Sequence, residues 1–260
     1  MAAAAAAAID LEPCAGLANR LRAVISGICG AEDLKRPLRI IWKQEPGVFL
    51  GDFNELFDLS ASNLPRWVSF LDTGYAHPRP YSCLSPADWQ LQVSKNPVDP
   101  IIIKSYGHFH QSDPARWQRW LQRLKPQTHF VTQLDSIFKG SKPVGVHIRR
   151  GDNRHSIEQS PTEAFEAAMD AYPAHTKFFV ASDNAGEKAR LLARYPGRIL
   201  VAALVLNRRS QEGGQQAFLD FLGLARCSEV LGSFASSFSE ISALYGGCPL
   251  RVIRGINPNR

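Results

Sequence analysis

Long apolar segments are missing from this sequence of 260 residues. None approaches the roughly 20 consecutive apolar residues that a membrane-spanning helix needs, so we expect no membrane span. The alanines at positions 2–8 come without the basic residues and the length of a signal peptide. The five cysteines form no CxxC pair and are irregularly spaced, which is typical of buried thiols in a reducing compartment. We therefore expect a cytoplasmic protein without a disulfide framework.

Blocks of like charge are missing as well. The chain has 30 Lys and Arg residues against 24 Asp and Glu residues, with 15 basic and 13 acidic residues in positions 1–140 and 15 and 11 in positions 141–260. A nucleic-acid-binding protein usually has a basic stripe with interleaved aromatic residues. The dispersed charges therefore favour a small anionic ligand, such as a nucleoside diphosphate, over a nucleic-acid partner.

Common catalytic signatures are also missing. The patterns GxxxxGK[ST], GxGxxG, HExxH and GxSxG do not occur, and no two aspartates are separated by one residue. His108 and His110 have no third ligand nearby in the sequence, so packing or solvent contact is favoured over a metal site. We expect neither a metal nor a cofactor. Without an acidic metal clamp, a bound diphosphate must be neutralised by side chains and backbone amides.

The second half of the sequence alternates between strands and helices. The pattern predicts strands over Pro143–Ile148, Lys177–Ser182, Arg198–Ala203, Glu229–Gly232 and Leu250–Ile253, and helices over Ser160–Tyr172, Asn184–Tyr195, Gln215–Cys227 and Ser236–Tyr245. Ser160, Pro161 and Glu163 have the spacing of a capping box. Such alternation gives a parallel sheet with helices on both faces, and open sheets of this kind bind ligands at their carboxyl edge.

The first half is less regular. A helix is predicted over Gly16–Ile28, after a strand that ends near Leu11. Further predictions are a strand over Leu38–Trp42, a short helix over Phe49–Leu59, a strand over Ile101–Ser105 and an amphipathic helix over Asp113–Leu124. Residues 60–100 are rich in Pro and Ser and receive no assignment. Because Lys139–Pro143 has linker composition, we predict two α/β domains, residues 9–140 and residues 141–260.

The strongest local signal is the segment His147–Asp152, with the sequence HIRRGD, directly after a predicted buried strand. Adjacent side chains at a strand end point in opposite directions, so one arginine can face a crevice while the other faces a helix or Asp152. A guanidinium stays charged and binds phosphate oxygens in pairs. The alternative is a surface arginine pair with Asp152 as its partner. The position after the first strand of the second sheet favours the ligand-binding interpretation.

Two glycine- or serine-rich turns are weaker signals. The segment Gly232–Glu240 joins a strand to a helix, where backbone N–H groups and the hydroxyls of Ser236 and Ser237 can bind phosphate. Simple helix capping by either serine is an equally good explanation. The segment Gly16–Arg22 enters an amphipathic helix with Asn19 and Arg20 in its first turn. For these two residues, an ordinary helix start with solvated arginines is the favoured alternative.

Taken together, these segments resemble the fucosyltransferase superfamily of alpha-1,6-, nodulation, bacterial alpha-1,2- and protein O-fucosyltransferases. The matching motifs are GLANRL at Gly16–Leu21, HIRRGD at His147–Asp152 and SFASS at Ser233–Ser237. Asp220 matches the aspartate of a D-x-x-x-L segment, and Ser182–Asn184 matches an S/T-D-[DN] turn. The resemblance covers most of the chain in order and spacing, and the HxRRxD element is its most specific part.

The resemblance implies a GT-B-like architecture of two Rossmann-like domains with parallel sheets facing across a cleft. Residues 9–140 would be the acceptor side and residues 141–260 the nucleotide-sugar-binding domain. It implies inverting, metal-independent transfer of fucose from GDP-fucose to a glycan hydroxyl. Arg149 and Arg150 would hold the diphosphate and the local fold. The implied donor-binding residues are Asn19, Arg20, His147, Arg149, Asp220, Ser236 and Ser237.

Some positions depart from the family pattern. Ser237 stands where some relatives have Gln. The general-base glutamate of the alpha-1,6 enzymes would fall at Ile157, and the neighbouring Glu158 is our predicted base. Alternative functions are transfer from another nucleotide sugar, or non-catalytic binding of a nucleotide or glycan on the same fold.

Overall fold

A computed structural model describes residues 7–71, 79–202 and 210–255, and its contacts divide the chain into two units, Met1–Pro126 and Gln127–Arg260. Each unit contains one five-stranded parallel sheet. Two α/β units with parallel sheets confirm the predicted fold class.

The first unit is built around the strand β1. Its strands are β1 (Ile9–Pro13), β2 (Leu38–Ile40), β3 (Phe57–Asp58), β4 (Val68–Phe70), β5 (Tyr81–Ser82), β6 (Ile101–Ser105) and β7 (Lys125–Pro126). Its helices are α1 (Leu17–Leu34), α2 (Phe53–Leu56), α3 (Pro86–Lys95) and α4 (Pro114–Arg123). The sheet order is β4-β2-β1-β6-β5, while β3 and β7 form a separate antiparallel pair. Helix α1 packs closely on β1 because Gly27 leaves room for the Leu11 side chain.

The second unit repeats this architecture. Its strands are β8 (Val144–Ile148), β9 (Phe178–Ser182), β10 (Ile199–Leu200), β11 (Val230–Ser233) and β12 (Leu250–Ile253). Its helices are α5 (Thr128–Phe138), α6 (Arg154–Gln159), α7 (Thr162–Asp170), α8 (Ala185–Arg194), α9 (Gln211–Ala225) and α10 (Ser237–Gly246). The sheet order is β10-β9-β8-β11-β12. The chain moves outward from β8 to β10 and then returns to β11, so the strand order reverses between β8 and β11. Such a reversal opens a crevice at the carboxyl edge of a parallel sheet.

Helix α7 begins later than the sequence predicted. Its N-cap is Pro161 and its first residue is Thr162, so the predicted capping box does not form. The Ser160 hydroxyl instead donates to the carbonyl of Ile253 and accepts from the amide of Phe234. The short helix α6 before it was not predicted. Strand β10 is shorter than predicted, and Ala203 lies outside the described residues.

The division between the units also differs from the predicted boundary at residue 140. Helix α5, which was not predicted, packs on the second unit through aromatic contacts of Phe130 with Phe218 and of Phe138 with Phe179. The predicted linker Lys139–Pro143 therefore joins α5 to β8 inside that unit. A composition rich in Lys, Gly and Pro indicates a turn, but only the packing of the preceding helix shows to which unit the turn belongs.

None of the helices formed by the described residues is long and apolar enough to cross a membrane.

Close packing of α9 against α10 predicts a position that tolerates glycine alone. A Cβ on Gly246 would lie 1.9 Å from the carbonyl oxygen of Ala225, which is backbone and cannot rotate away. We expect Gly246→Ala to lower the free energy of unfolding by about 3 kcal/mol. The matched control is Gly186→Ala, whose Cβ would meet only the Asn184 side-chain oxygen, at 3.0 Å, and it should change this free energy by less than about 1 kcal/mol. Urea denaturation checks both, and equal effects would contradict the packing argument.

Candidate functional site

Three loops meet where the strand order of the second sheet reverses. Residues 149–153 follow β8, residues 183–184 follow β9, and residues 234–236 follow β11. Because the strands are parallel, all three loops leave the same edge of the sheet. The HIRRGD segment and the serine turn are therefore brought together, as the sequence predicted.

The two neighbouring arginines point in different directions. The Arg150 guanidinium turns toward helices α7 and α8, where Nε donates to Glu187 at 3.0 Å and one terminal nitrogen donates to the hydroxyl of Thr162 at 2.7 Å. The same nitrogen donates to the carbonyl of Ser160 at 3.0 Å, and the other donates to the carbonyl of Arg149 at 2.9 Å. With only 10% of its side chain exposed, Arg150 is a structural clamp between the loop and two helices.

Arg149 remains partly open to solvent, with 24% of its side chain exposed. One terminal nitrogen of its guanidinium lies 2.7 Å from Asp183, and the other donates to Asp152. These partners differ in burial, because the side chain of Asp183 is 6% exposed and that of Asp152 is 78% exposed. Arg149 is thus held by one fixed carboxylate and one that faces solvent.

Asp183 fixes the whole loop. Its carboxylate accepts the backbone amide of Arg150 at 2.8 Å and that of Gly151 at 3.0 Å, besides pairing with the Arg149 side chain. The amide of Arg149 donates to the Ser233 hydroxyl at 3.0 Å, which ties the loop to β11. In the sequence, Asp183 matches a turn of the family pattern, and no role was predicted for it. Its place directly after a buried strand is the signal that identifies it.

The turn after β11 is held by side chains from α6. The hydroxyl of Ser156 donates to the carbonyl of Phe234 at 2.6 Å, and the amide of Asn153 donates to the carbonyl of Ala235 at 2.9 Å. Ala235 has a φ of 50°, in the left-handed region. Ser236 is the N-cap of α10 without a capping hydrogen bond from its side chain, and Ser237 is the first helical residue. Both serines are half-buried, at the positive end of a helix dipole.

His147 lies beneath this turn. Its Nδ1 is 2.7 Å from the hydroxyl of Ser239 and 3.4 Å from that of Ser236. The ring packs against Phe238 with 4.9 Å between centroids, and the residue is 4% exposed. His147 therefore supports the start of α10 from inside the unit.

Asp220 lies apart from these contacts, in a buried ion pair between α8 and α9. Its Oδ2 is 3.2 Å from Nζ of Lys188, and the two side chains are 4% and 1% exposed. Burial raises the pKa of Asp220 to about 6, and the attraction of Lys188 opposes this rise only partly. No donor among the described residues reaches Oδ1, so this buried oxygen is left as an acceptor. Lys188 was not predicted as the partner of Asp220, because the two residues are adjacent only in the folded unit.

Glu158 is on α6 with an exposed side chain. It is two positions after Ser156, a rotation of about 200° around a helix, so it lies on the side opposite the Ser156 contact with the turn. The structure therefore places Glu158 on the outer side of α6, and its predicted role as a base stays a prediction.

In the first unit, Arg20 is placed differently from the expectation that it approaches a ligand. It is fully buried, and its guanidinium donates to the carbonyls of Ala15 at 2.6 Å, Pro13 at 3.2 Å and Lys43 at 2.6 Å. It also pairs with Glu45 at 3.0 Å. Burial lowers the pKa of Arg20, and Glu45 opposes the shift. Arg20 thus holds the loops that follow β1 and β2, while Asn19, half-buried in the first turn of α1, remains at this edge.

A charged cluster at the same edge was not predicted. Glu12 lies 2.7 Å from Lys43 and 2.9 Å from Lys104, and Lys104 is 3.9 Å from Glu45. Burial alone would raise the pKa of Glu12, but the hydrogen bonds from the two lysines outweigh it and lower that pKa. Each of these residues lies near or after the carboxyl end of a strand. That shared position is the feature of the sequence from which the cluster could have been predicted. Among the described residues, no three His, Cys, Asp or Glu side chains are placed to bind one metal ion.

Comparisons with known proteins find similarity in structure alone. No protein-family model matches the chain, and no curated protein does. NodZ alpha-1,6-fucosyltransferase soaked with GDP-fucose is similar in structure, with a TM-score of 0.66, 18% sequence identity and coverage of 98% of this chain and 96% of that one. A fucosyltransferase NodZ structure from Bradyrhizobium has a TM-score of 0.63, 16% identity and coverage of 91% and 92%. POFUT1 in complex with GDP-fucose has a TM-score of 0.60, 13% identity and coverage of 98% and 99%.

These likenesses extend over nearly the full length of both chains. They show that the chain has the fold of these fucosyltransferases, and they confirm the GT-B-like α/β fold that the resemblance implied.

The contrast between the two arginines can be measured as stability. We expect Arg150→Met to lower the free energy of unfolding by about 3 kcal/mol, because it leaves the Glu187 carboxylate without its guanidinium partner in a mostly buried site. Arg149→Met should lower it by less than about 1 kcal/mol, since Asp183 keeps two backbone donors and Asp152 is in solvent. Urea denaturation of both variants tests this, and equal losses would show that the two arginines are not divided in this way.

The raised pKa of Asp220 predicts a pH dependence of stability. Because the pKa of Asp220 is about 6 in the folded chain and 3.8 for an ordinary aspartate, the folded state binds the proton more tightly. The contribution to stability is fully present below the unfolded value and is lost as the pH rises through about 6. Relative to Asp220→Asn, the native chain should therefore gain up to about 3 kcal/mol between pH 7 and pH 4. Urea denaturation at both pH values measures the difference, and a constant gap would contradict the raised pKa.

Proposed function

We propose that the chain is an inverting, metal-independent glycosyltransferase that transfers fucose from GDP-fucose to the hydroxyl group of a glycan. The observation that carries the proposal is the partly open guanidinium of Arg149, fixed at the carboxyl end of β8 where the strand order reverses. The fold shared with NodZ and POFUT1, including structures that contain GDP-fucose, supports the choice of donor.

Arg149 is suited to a diphosphate because its two carboxylate partners differ. Asp183 is buried and keeps the guanidinium aimed along the sheet edge, whereas the exposed Asp152 can yield its place to a phosphate oxygen. A preorganised donor of this kind stabilises charge without rearranging during the reaction. The start of α10, with Ser236 and Ser237, adds backbone amides and hydroxyls at the same edge.

The remaining donor contacts are assigned residue by residue. His147 positions the serine turn through its contacts with Ser236 and Ser239. Asp220 is assigned to guanine by the family resemblance, and because its Oδ1 is buried, the base would reach this acceptor only if α8 and α9 separate locally. Asn19, half-buried in the first turn of α1, keeps a side-chain amide at the carboxyl edge of the first sheet, and its assignment as a donor-binding residue rests on the family resemblance. Arg20 acts by holding the loops around Asn19, because its own guanidinium is buried.

In the reaction, the oxygen of the acceptor hydroxyl forms a bond to the anomeric carbon from the face opposite the diphosphate. The bond between that carbon and the phosphate oxygen breaks, and its electron pair leaves with GDP. The acceptor proton passes to a base, for which Glu158 is our candidate. Negative charge grows on the diphosphate as the bond breaks, and Arg149 lies where it can stabilise that charge. One such donor can lower the barrier by about 3–4 kcal/mol.

The activity test compares Arg149 variants with the native chain. We expect Arg149→Met to reduce kcat/KM for GDP-fucose by about 100-fold to 1000-fold, the loss typical of a single charge-stabilising donor. The measurement is GDP release in excess chelator with a panel of glycan acceptors. Lys142→Met, an exposed cation at the other end of β8, is the matched control and should keep full activity.

Three results would contradict the proposal. Unchanged turnover and GDP affinity in Arg149→Met would remove the role of the guanidinium. Loss of activity in chelator would contradict metal-independent transfer. A thermal shift with a UDP- or CDP-sugar, together with none for GDP-fucose, would show that the donor is not GDP-fucose. In addition, kcat unchanged in Glu158→Gln would remove Glu158 as the base while leaving the rest intact.

A further inference from the structure

A strongly basic cavity lies in the first unit, outside the site described above. It has a volume of about 550 Å³, and we call it the α4 pocket because Arg116, Arg119 and Arg123 of that helix line it. Lys125 and the carboxylate of Glu32 complete its charged lining. With four cations against one anion in its lining, the cavity has a concentrated positive charge.

The one carboxylate in the α4 pocket, that of Glu32, is already paired with Arg116. Arg116 pairs with Glu32 and with Asp33 at 2.8 Å, and it also donates to the carbonyl of Cys29 at 3.0 Å. These partners hold Arg116 with 18% of its side chain exposed. Neither Arg119 nor Arg123 pairs with a carboxylate of the described residues, and both side chains are exposed. The described carboxylates of the unit therefore leave part of the positive charge of the pocket unbalanced.

The three arginines of the pocket also lie on one side of helix α4. Residues 116, 119 and 123 lie within about 60° of one another around α4. Like charges at this spacing repel and destabilise an isolated helix. Helix α4 is held in spite of this by the buried Trp117 and Trp120, and the Arg123 guanidinium stacks on the Trp120 ring at 4.5 Å. A bound polyanion would relieve the repulsion without moving the helix.

The opposite wall of the pocket is a turn fixed by hydrogen bonds. The carboxylate of Asp58 accepts the amides of Ser60 at 2.9 Å and Ala61 at 3.1 Å. The hydroxyl of Ser62 in turn accepts the amide of Lys125 at 2.9 Å, which joins the turn to the end of α4. The exposed Asn63 follows in this wall and presents an amide, a group that bonds sugar hydroxyls.

We propose that the α4 pocket binds a sugar or polyol that carries several sulfate or phosphate groups. A volume of about 550 Å³ is much larger than one oxyanion and lies in the usual range for small-molecule sites. Arginine is the side chain that binds such oxyanions with paired hydrogen bonds. Trp120 is only 6% exposed and covered by Arg123, so it offers no stacking platform for the bases of a nucleic acid.

This pocket is separate from the edge that holds Asn19. Both residues are on α1, where Glu32 comes thirteen residues after Asn19, a distance of about 20 Å along the helix axis. The inference therefore does not depend on the proposed transferase activity, and its test does not use that activity.

The test measures binding of sucrose octasulfate to the full chain by calorimetry at about 50 mM salt, where charge interactions are weakly screened. We expect Arg119→Gln/Arg123→Gln to weaken binding at least about tenfold, because two charge-assisted contacts are lost. The matched control is Arg66→Gln/Lys95→Gln, two exposed cations of the same unit outside the pocket, which should change affinity less than about twofold. A parallel titration with inositol hexakisphosphate tests phosphate groups, and the tighter of the two ligands shows which anion the pocket prefers.

Several outcomes would overturn the inference. Equal affinity of the native chain and Arg119→Gln/Arg123→Gln would show that the pocket is not the site. An equal loss in the control variant would show unspecific attraction by net charge. Inorganic sulfate binding as tightly as sucrose octasulfate would reduce the site to a single-anion contact, and tighter binding of a short DNA duplex would replace the sugar with a nucleic acid.

Discussion

The candidate site depends on one carboxylate, that of Asp183 at the end of β9. It accepts two consecutive backbone amides of the loop after β8 and pairs with Arg149, so it determines the path of the loop and the aim of a guanidinium at once. Three such donors satisfy the hydrogen-bonding capacity of a carboxylate that is almost fully buried. Around this fixed point, the neighbouring strands bring the serine turn and the arginine loop to one edge of the sheet.

The two adjacent arginines after β8 have different roles because their side chains point in different directions. Arg150 donates hydrogen bonds to Glu187, Thr162 and two backbone carbonyls, and it thereby joins the loop to α7 and α8. Arg149 is left with one partner that is fixed and another that is exposed. Identical side chains thus acquire a structural and a ligand-directed role from position alone, which is why a motif of two arginines does not specify two equivalent ligands.

In the first unit, the arginine that follows the strand is buried and has a structural role. Arg20, which also follows a strand and a glycine turn, is enclosed by carbonyl oxygens, Glu45 and the rings of Trp42 and Phe49. Its charge stabilises loops rather than a ligand. On α4 of that unit, by contrast, exposed arginines line a cavity remote from Asn19.

The sequence by itself determined the alternation of strands and helices, the parallel sheets and the HIRRGD loop at a strand end, because hydrophobic periodicity and turn residues act locally. It predicted Leu250–Ile253 and Ile101–Ser105 within their observed bounds. Tertiary structure alone decided that Arg20 is buried, that Asp220 pairs with Lys188 and that α5 belongs to the second unit. Each of these depends on partners distant in the chain, and the cost of burying a charge or an aromatic ring is settled only by what surrounds it.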